Sequence, residues 1–199
     1  MWTSVLWEDI NMQYMKLNRV QQYLDWIKTK IYLDYNSEKA AKRIVKRGFV
    51  YECYFGRNVG SEQEKFRPCV VLQGIDGNRN SPNTIVAPIT HTNSHLDIVV
   101  PISDKLDING NKILDGHVLL GNIITVSKSR LGAEITQLTK DEMKIVDTAL
   151  MKSIDLFWRY EKLQSIINDK DVYIKKLIKQ RNELKLELDT IKNNNGSNL

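Results

Sequence analysis

The amino-acid sequence predicts an α+β protein, in which a small antiparallel β-barrel lies between an N-terminal helical segment and a C-terminal coiled-coil helix. Three observations support this fold class. Residues 46–130 consist of short apolar runs divided by turn residues. Residues 1–45 contain neither proline nor glycine, and residues 156–191 carry apolar side chains at every seventh position.

An N-terminal helical extension is predicted over residues 1–45. Apolar side chains recur there at intervals of three and four, the spacing typical of the buried face of an amphipathic helix: Leu17, Val20, Leu24, Ile27 and Ile31. The pattern breaks near Asn36, and a short second helix is predicted from Ser37.

The barrel and its closing helix are predicted over residues 46–154. Short, closely spaced strands are expected in FVYECYF, PCVVLQ, TIVAPIT, HLDIVVPI, KILDGHVLL and NIITVS. The segment GIDGNRNSPN is predicted to reverse the chain, and the Asn109–Gly110 step in DINGN predicts a hairpin, because both residues tolerate positive φ. Thr139 and Glu142 form a capping box at the start of a helix that is expected to continue into the third region.

Residues 155–199 are predicted to form a coiled-coil helix with a disordered tail, NNNGSNL. Nine of the eleven seam positions between residues 156 and 191 are apolar or aromatic. Two interpretations stay open: the seam mediates dimerisation or partner binding, or it packs against the N-terminal helix of the same chain. The seam residues Lys170 and Arg181 slightly favour the second, because they would be costly inside a parallel dimer.

Charge and cysteine content exclude few functions. The net charge of +5 is spread as +2, +1 and +2 over residues 1–45, 46–154 and 155–199, so composition alone indicates nucleic-acid binding only weakly. Cys53 and Cys69 lie in predicted strands, which suits buried thiols in a reducing compartment. No apolar run approaches a membrane span, and we expect a cytoplasmic protein without membrane association.

No familiar metal or nucleotide motif is present. His91, His95 and His117 have no cysteine or carboxylate at ligand spacing, and HExxH, CxxC, P-loop and GxGxxG patterns do not occur. His91 and His95 lie in a predicted loop and are most simply surface histidines. The sequence therefore predicts neither a metal nor a cofactor.

Polar residues at the ends of predicted strands are the unusual feature: Glu62, Gln63, Arg67 and Thr90. A guanidinium at the mouth of a buried strand is unfavourable unless an anion meets it. Two interpretations of Arg67 follow, namely a structural ion pair with Glu62 or Glu64, or a site for an anionic ligand.

Residues 46–90 resemble the MazF/PemK family of toxin endoribonucleases. The shared pattern comprises a Lys-Arg-Gly start of the first strand, a Gly-Ser-Glu-Gln loop, an Arg-Pro strand start, a Gly-Asn-Arg-x-Ser-Pro turn and a strand ending in Ile-Thr. Further along, GHVLLGNIITVSKSRL and QLTKDEMKIVDTAL resemble the family's next strands and closing helix. The resemblance covers residues 45–154.

This resemblance implies an SH3-like barrel that forms a homodimer and acts as the toxin of a type II toxin–antitoxin system, with a cognate antitoxin as partner. It implies cleavage of single-stranded RNA without metal or cofactor, by attack of the ribose 2′-OH, leaving a 2′,3′-cyclic phosphate and a 5′-OH. The catalytic pair maps onto Arg67 and Thr90. Glu62 is the nearest titratable candidate for the catalytic base.

The same resemblance implies RNA-binding residues near this pair: Ser61, Gln63, Lys65 and His91. Hydroxyl, carboxylate and amide groups in the loop at residues 61–63 suit the exposed base edges of single-stranded RNA. The alternative role for the GNRNSP turn is purely structural, with the side chains of Asn78 and Ser81 forming hydrogen bonds to their own backbone.

The sequence departs from the family at three positions. Gly121 and Ile124 replace a commonly found acid and arginine, and Gly74 replaces an asparagine. Loss of an opposite-charge pair indicates that apolar packing has replaced a salt bridge at the dimer interface, or that the RNA groove has changed.

Two other functions are compatible with these patterns. A non-catalytic barrel could bind a protein through its helical arms, because related gyrase-poisoning toxins share the barrel without cutting RNA. Alternatively, one helical arm could fold over the groove and restrain the enzyme in cis.

Overall fold

The structure is a computed structural model that describes residues 16–91 and 94–196. The chain divides into two compact units, Met1–Ser153 and Ile154–Leu199. The first contains the sheet with four helices, and the second contains one long helix.

Five α-helices are described: α1 Leu17–Tyr35, α2 Ser37–Ala41, α3 Ile75–Asn80, α4 Lys140–Ser153 and α5 Phe157–Gly196. Seven strands are described: β1 Phe49–Gly56, β2 Lys65–Val71, β3 Asn83–Thr90, β4 Val99–Leu106, β5 Lys112–Leu119, β6 Ile124–Ser127 and β7 Leu131–Gln137. Two 3₁₀ turns, Leu120–Asn122 and Lys128–Arg130, flank β6.

The strands form a curled antiparallel sheet in the order β4-β5-β3-β2-β1-β7, with β6 pairing to β3. This confirms the predicted barrel-like fold and all six predicted strands. The seventh strand, β7, was not predicted. Its only fully buried residue is Leu131, so the strand carries too little apolar alternation to be recognised from sequence.

Two hydrophobic clusters lie on opposite faces of the sheet. Val50 of β1 belongs to one cluster, whereas Tyr51, Cys53 and Phe55 belong to the other. Because successive side chains of a strand point to opposite faces, both faces are buried. The helix α4 contributes Val146 to the first cluster.

Both cysteines are buried free thiols, as predicted. The pKa of Cys69 is raised well above its usual value, first by a hydrogen bond with Cys53 and then by burial. The Cys69 thiol is therefore not activated as a nucleophile.

The GIDGNRNSPN segment is more structured than a simple turn, because it contains α3. Asn78 is fully buried; its Nδ2 donates to the Gln73 carbonyl at 2.8 Å, and its Oδ1 accepts from Thr84 Oγ1 at 2.7 Å. The buried Lys128 donates to the Asn78 carbonyl at 2.5 Å. These bonds tie the segment to the start of β3 and to the turn after β6, and Ser81 accepts from the Asn83 N–H at 3.0 Å as expected for a local turn.

The predicted β4–β5 hairpin is present, but with different turn chemistry. Gly110 has φ +81°, whereas Asn109 does not take the left-handed conformation expected for it. The Asp107 carboxylate instead accepts from the N–H groups of Asn109 and Asn111, both at 2.8 Å. The side chain closes the loop and removes the need for a second positive φ.

The helix α4 begins at the predicted capping box. The Glu142 N–H donates to Thr139 Oγ1 at 3.2 Å, and the Thr139 N–H donates to Glu142 Oε2 at 2.7 Å. The expected continuation into the third region is wrong. The chain leaves helical geometry after Ser153, and Asp155 takes φ +57°, which an α-helix cannot accommodate.

Within the helical extension predicted over residues 1–45, α1 and the second helix α2 are present, and residues 1–15 lie outside the described residues. The predicted buried face of α1 is wrong. Four residues of the predicted apolar stripe are exposed: Leu17, Leu24, Ile27 and Ile31. The partly buried Trp26 and the buried Leu33 face the rest of this unit instead. The large aromatic side chain of Trp26 lies on the docked face of α1. The spacing of apolar residues at intervals of three and four did not reveal this face.

The helix α5 confirms a long C-terminal helix of 40 residues. Its seam side chains lie at its surface, with Leu163 60% and Leu184 60% exposed. The helix extends to Gly196, so residues 193–196, which were predicted to be disordered, are helical; residues 197–199 lie outside the described residues. Pairing of the seam stays a prediction.

We expect the Glu142 carboxylate to make folding acid-sensitive. Burial raises its pKa, but bonds from Lys105, Ser103 and Thr139 outweigh burial and lower the pKa to about 2, from 4.5. Since the folded pKa is depressed, the carboxylate stabilises the fold above pH 4.5, and this stabilisation is lost as pH falls towards 2. The upper bound on this contribution is about 3 kcal/mol.

Glu142→Gln should therefore lower the free energy of unfolding at pH 7 and flatten its dependence on pH between 5 and 2, measured by urea denaturation. Asp141→Asn is the matched control, because Asp141 occupies the same helical turn but is 87% exposed. An unchanged acid dependence in Glu142→Gln would contradict this assignment.

Candidate functional site

The pairing of β2 with β3 brings Arg67 and Thr90 to one edge of the sheet. The ladder pairs Cys69 with Pro88 and Val71 with Val86, and the same register extended by two residues places Arg67 opposite Thr90. Both continue the alternation of one face, so their side chains leave the sheet on the same side.

A cleft of about 430 Å³ opens at this edge, and we call it the Arg67 cleft. Its lining residues come from β2, β3 and β5 and from the residue after β3: Lys65, Phe66, Arg67, Pro68, Ile89, Thr90, His91, Ile113, Leu114 and Asp115. Of the residues singled out from the sequence, the cleft unites Arg67, Thr90, Lys65 and His91.

Neutral groups orient the guanidinium of Arg67. Its Nε donates to the Glu64 carbonyl oxygen at 2.9 Å, and its Nη1 donates to Gln63 Oε1 at 2.7 Å. The side chain is half-buried. A backbone carbonyl oxygen and a side-chain amide oxygen thus hold the guanidinium in place without neutralising its charge.

The nearby acids are engaged elsewhere. Glu64 forms an ion pair with Arg57 at 2.7 Å, and Glu62 Oε2 accepts from the Val59 N–H at 3.3 Å. Among the described residues, Arg67 makes no ion pair with either acid, which excludes the structural ion pair considered from the sequence. The arrangement leaves a fixed, half-buried positive charge facing a cleft, the setting in which an anionic ligand is favoured.

Gly116 sets the position of Thr90. Thr90 pairs with His117, and a Cβ on Gly116 would lie 2.5 Å from the Thr90 carbonyl oxygen. Gly116 also has φ +110°, which other residues rarely adopt. Only glycine therefore allows β5 to approach the end of β3 this closely. The Asp115–Gly116 step was not recognised in the sequence as part of a site.

Beside Thr90, a histidine and a carboxylate form a pair inside the cleft. His91 Nε2 lies 2.6 Å from Asp115 Oδ1, and Lys112 Nζ lies 3.3 Å from the other oxygen of the same carboxylate. The hydrogen bonds with His91 and then Lys112 lower the pKa of Asp115. The carboxylate fixes one nitrogen of an imidazole that is 81% exposed.

Two aromatic side chains pack against each other beside the cleft, with their ring planes inclined by 50°. Tyr54 and Phe66 lie opposite each other on β1 and β2, with ring centroids 4.4 Å apart. Both are exposed, and Phe66 lines the Arg67 cleft. Exposed aromatic faces beside a cation suit the bases of a single-stranded nucleic acid. Sequence analysis missed this pair, because it depends on cross-strand register.

The remaining predicted residues, Ser61, Glu62 and Gln63, lie in the β1–β2 loop and do not line the Arg67 cleft, although Gln63 accepts a hydrogen bond from Arg67. Glu62 and Gln63 line a second cleft of about 270 Å³, which is formed with Phe55, Asn58 and residues 121–124. Ser61 is exposed and lines neither cleft. The structure therefore joins Arg67 to Thr90 but does not bring Glu62 into the same cleft.

Lys65 lies where the loop enters β2, with φ +73°. A non-glycine residue in this conformation is uncommon, and such strain is concentrated at ligand sites. This conformation coincides with the β-bulge at which Gly56 pairs with Lys65. Lys65 lines the Arg67 cleft.

Within residues 16–91 and 94–196, no group of three or more histidine, cysteine or carboxylate side chains is arranged to hold a metal ion. No helix in the same part of the chain combines the length and hydropathy needed to span a bilayer.

Comparison with known families identifies the barrel. Residues 46–154 match the family described as the PemK-like, MazF-like toxin of type II toxin–antitoxin systems. The chain belongs to this family. A relative in it, Endoribonuclease EndoA of Bacillus subtilis (strain 168), is 40% identical over 113 residues, which are 57% of this chain and 97% of the relative.

A solved MazF structure shows the same fold. The crystal structure of MazF from Deinococcus radiodurans superposes with a TM-score of 0.50 at 19% identity, covering 57% of this chain and 98% of that chain. A mycobacterial endoribonuclease in complex with its cognate antitoxin superposes with a TM-score of 0.47 at 24% identity, covering 56% and 96%. The family match leaves α1, α2 and α5 outside its bounds.

Proposed function

We propose that this toxin is an endoribonuclease that cleaves single-stranded RNA at the Arg67 cleft, with Arg67 and Thr90 as its catalytic pair. The observation that carries the proposal is the guanidinium of Arg67, which is oriented by two neutral oxygens and faces a cleft shared with Thr90. The 40% identity to a protein named an endoribonuclease supports the same activity. The cytoplasm, where mRNA is found, is the proposed site of action.

The reaction needs only charge stabilisation and two proton transfers. The ribose 2′-oxygen attacks phosphorus while the bond to the 5′-oxygen breaks, which leaves a 2′,3′-cyclic phosphate and a 5′-OH. The 2′-proton passes to a base, and the departing 5′-oxygen receives a proton. Arg67 stabilises the charge that grows on the non-bridging oxygens and is the candidate acid, and Thr90 is a ligand of the phosphate. No metal or cofactor is needed for these steps.

Two residues are candidates for the base. Glu62 was selected from the sequence, but it lines a different cleft from Arg67 and Thr90. His91 lies in the Arg67 cleft, and its bond to Asp115 leaves Nδ1 as the nitrogen able to take a proton from the 2′-OH. Asp115 would then stabilise the imidazolium that forms. Position favours His91 over Glu62.

Residues around the cleft supply RNA contacts in this proposal. Phe66, packed against Tyr54, offers an exposed aromatic face for a base next to the cleaved bond. Lys65 contacts phosphate, and Ser61 and Gln63 read base edges from the loop. Gln63 also orients Arg67, which couples base recognition to the catalytic arginine.

A homodimer and a cognate antitoxin complete the proposal. The strand β6 pairs only with β3, and the nearby Ile85, Ile123 and Ile124 are each between 37% and 38% exposed. A second copy would cover this apolar edge, in agreement with the loss of the family's charge pair at Gly121 and Ile124. An acidic antitoxin segment would compete with RNA for the cationic cleft and suppress cleavage.

Arg67→Ala should abolish cleavage of single-stranded RNA in the presence of EDTA, with a loss of at least about 100-fold. Thr90→Val should reduce it strongly. The measurement is the appearance of 5′-OH ends on a defined mRNA, sequenced after brief incubation. Arg79→Ala is the matched control, because Arg79 is exposed on α3 and lines no described cleft.

Cleavage by Arg67→Ala at the rate of the unaltered protein would overturn this assignment. Absence of cleavage by the unaltered protein, combined with toxicity that needs α5, would favour the alternative of a non-catalytic barrel that acts through its helical arms.

The pH dependence of cleavage identifies the base. If His91 is the base, His91→Ala should lower kcat by about 100-fold or more and remove the limb of the pH–rate profile that reports deprotonation of the base, whereas Glu62→Gln should retain that limb. The reverse result would assign the role to Glu62. Retention of the limb in both variants would contradict both assignments.

Ile124→Glu should convert a dimer into a monomer, because it places a charge within the apolar edge at β6. Sedimentation velocity at micromolar concentration measures this change. Lys112→Glu, an exposed substitution on β5, serves as the control. A monomer before any substitution would show that the proposed dimer does not form.

A further inference from the structure

The helix α1, which lies outside the family match, is docked beside the β1–β2 loop. Gly56 allows this approach: a Cβ at that position would overlap the indole of Trp26. The guanidinium of Arg130 lies 5.2 Å from the centre of the same ring and donates to the Phe55 carbonyl at 3.1 Å. Tyr23 Oη donates to the Asn58 carbonyl at 3.4 Å. These contacts hold α1 against the end of β1.

A cleft of about 390 Å³ lies between α1 and the loop, and we call it the α1 cleft. It is lined by Lys16, Asn18, Arg19, Gln22, Tyr23, Arg57, Asn58, Gly60 and Glu64. Three of these residues are cations and only Glu64 is an acid, which Arg57 pairs at 2.7 Å. Lys16 and Arg19 are exposed and add their charge to a lining otherwise rich in amide and hydroxyl donors.

The α1 cleft adjoins the Arg67 cleft. Asn58, which lines the α1 cleft, donates from Nδ2 to the Gln63 carbonyl at 2.6 Å. Glu64 also lines the α1 cleft, and its carbonyl accepts from Arg67 Nε at 2.9 Å. The next residue, Lys65, lines the Arg67 cleft. A chain that passes over Lys65 therefore moves from one cleft directly to the other.

We propose that the α1 cleft binds the phosphodiester backbone of the RNA that extends beyond the cleaved bond, with Lys16 and Arg19 each neutralising one phosphate. This inference rests on the proposed function. Cationic and neutral donors without sequence-reading geometry suit phosphate and ribose oxygens, so the contact raises affinity without adding base specificity.

RNA fits this cleft better than an acidic polypeptide does. The RNA held in the Arg67 cleft is covalently continuous with the segment at its rim, so contacts at α1 form at high effective concentration. An acidic peptide that binds only the α1 cleft has no such tether. No α1 side chain lines the Arg67 cleft among the described residues, so α1 extends the binding surface rather than covering it.

The test compares two double variants of the full chain that lose the same charge, one at the start of α1 and one further along it. Lys16→Gln/Arg19→Gln removes two of the three cations of the α1 cleft and leaves Arg57, which pairs with Glu64. Lys28→Gln/Lys30→Gln removes two exposed cations that lie outside it. The probe is a fluorescein-labelled, fully 2′-O-methylated RNA of 20 nucleotides, which cannot be cleaved, and affinity is measured by anisotropy at several salt concentrations.

The first variant should weaken binding and reduce the slope of log K against log salt by about 1.4, because two phosphate contacts on single-stranded RNA are lost. The second should keep the slope of the unaltered protein. Circular dichroism and thermal unfolding check that α1 is intact in both.

Equal slopes for the two double variants would overturn the α1 site. If Lys16→Gln/Arg19→Gln lost binding to polyglutamate but kept its affinity for RNA, the α1 site would also be overturned, and the cleft would be assigned to an acidic polypeptide. Cleavage of unmodified RNA is followed in parallel. If the unaltered protein cleaves RNA but the two double variants have equal salt slopes, only the α1 site is contradicted. If the slope is reduced in Lys16→Gln/Arg19→Gln but the unaltered protein does not cleave RNA, only the proposed activity is contradicted.

Discussion

The pairing of β3 along both of its edges is the constraint on which the rest of this structure depends. One edge pairs with β2, and the other pairs with β6 near its start and with β5 near its end. The strand therefore belongs to both parts of the curled sheet, and Thr90 lies at its last position, where β2 and β5 converge. Gly116 permits that convergence, because any side chain there would meet the Thr90 carbonyl. The cleft at this corner is a consequence of the pairing.

At that corner, the acids of the β1–β2 loop are engaged by groups other than Arg67. A carboxylate beside Arg67 would orient the guanidinium equally well but would also neutralise it. Here the orienting partners are a carbonyl and an amide, while Arg57 engages Glu64. A half-buried guanidinium without a carboxylate partner is unfavourable in isolation, and that unfavourable free energy becomes affinity when an anion arrives.

The β1–β2 loop connects this corner to the rest of the molecule. Asn58 holds the loop through the Gln63 carbonyl, Gln63 holds Arg67, and α1 contacts Asn58 from the other side. Elements outside the family's bounds therefore reach the site through backbone contacts within a few residues. Such a placement allows added helices to change the surface beside the Arg67 cleft without changing the fold of the barrel.

The sequence by itself determined six of the seven described strands, the helix α1, the capping box of α4 and the family, because each depends on local periodicity or on a contiguous motif. It also selected Arg67 and Thr90. Only the tertiary structure decided that Asp115 contacts His91, that Phe66 packs against Tyr54 and that Glu62 lies in a separate cleft. Those relations depend on cross-strand register and on side-chain direction at the end of a twisted sheet. Two residues far apart in the chain become neighbours only when the strands pair, and no pattern along either strand records that distance.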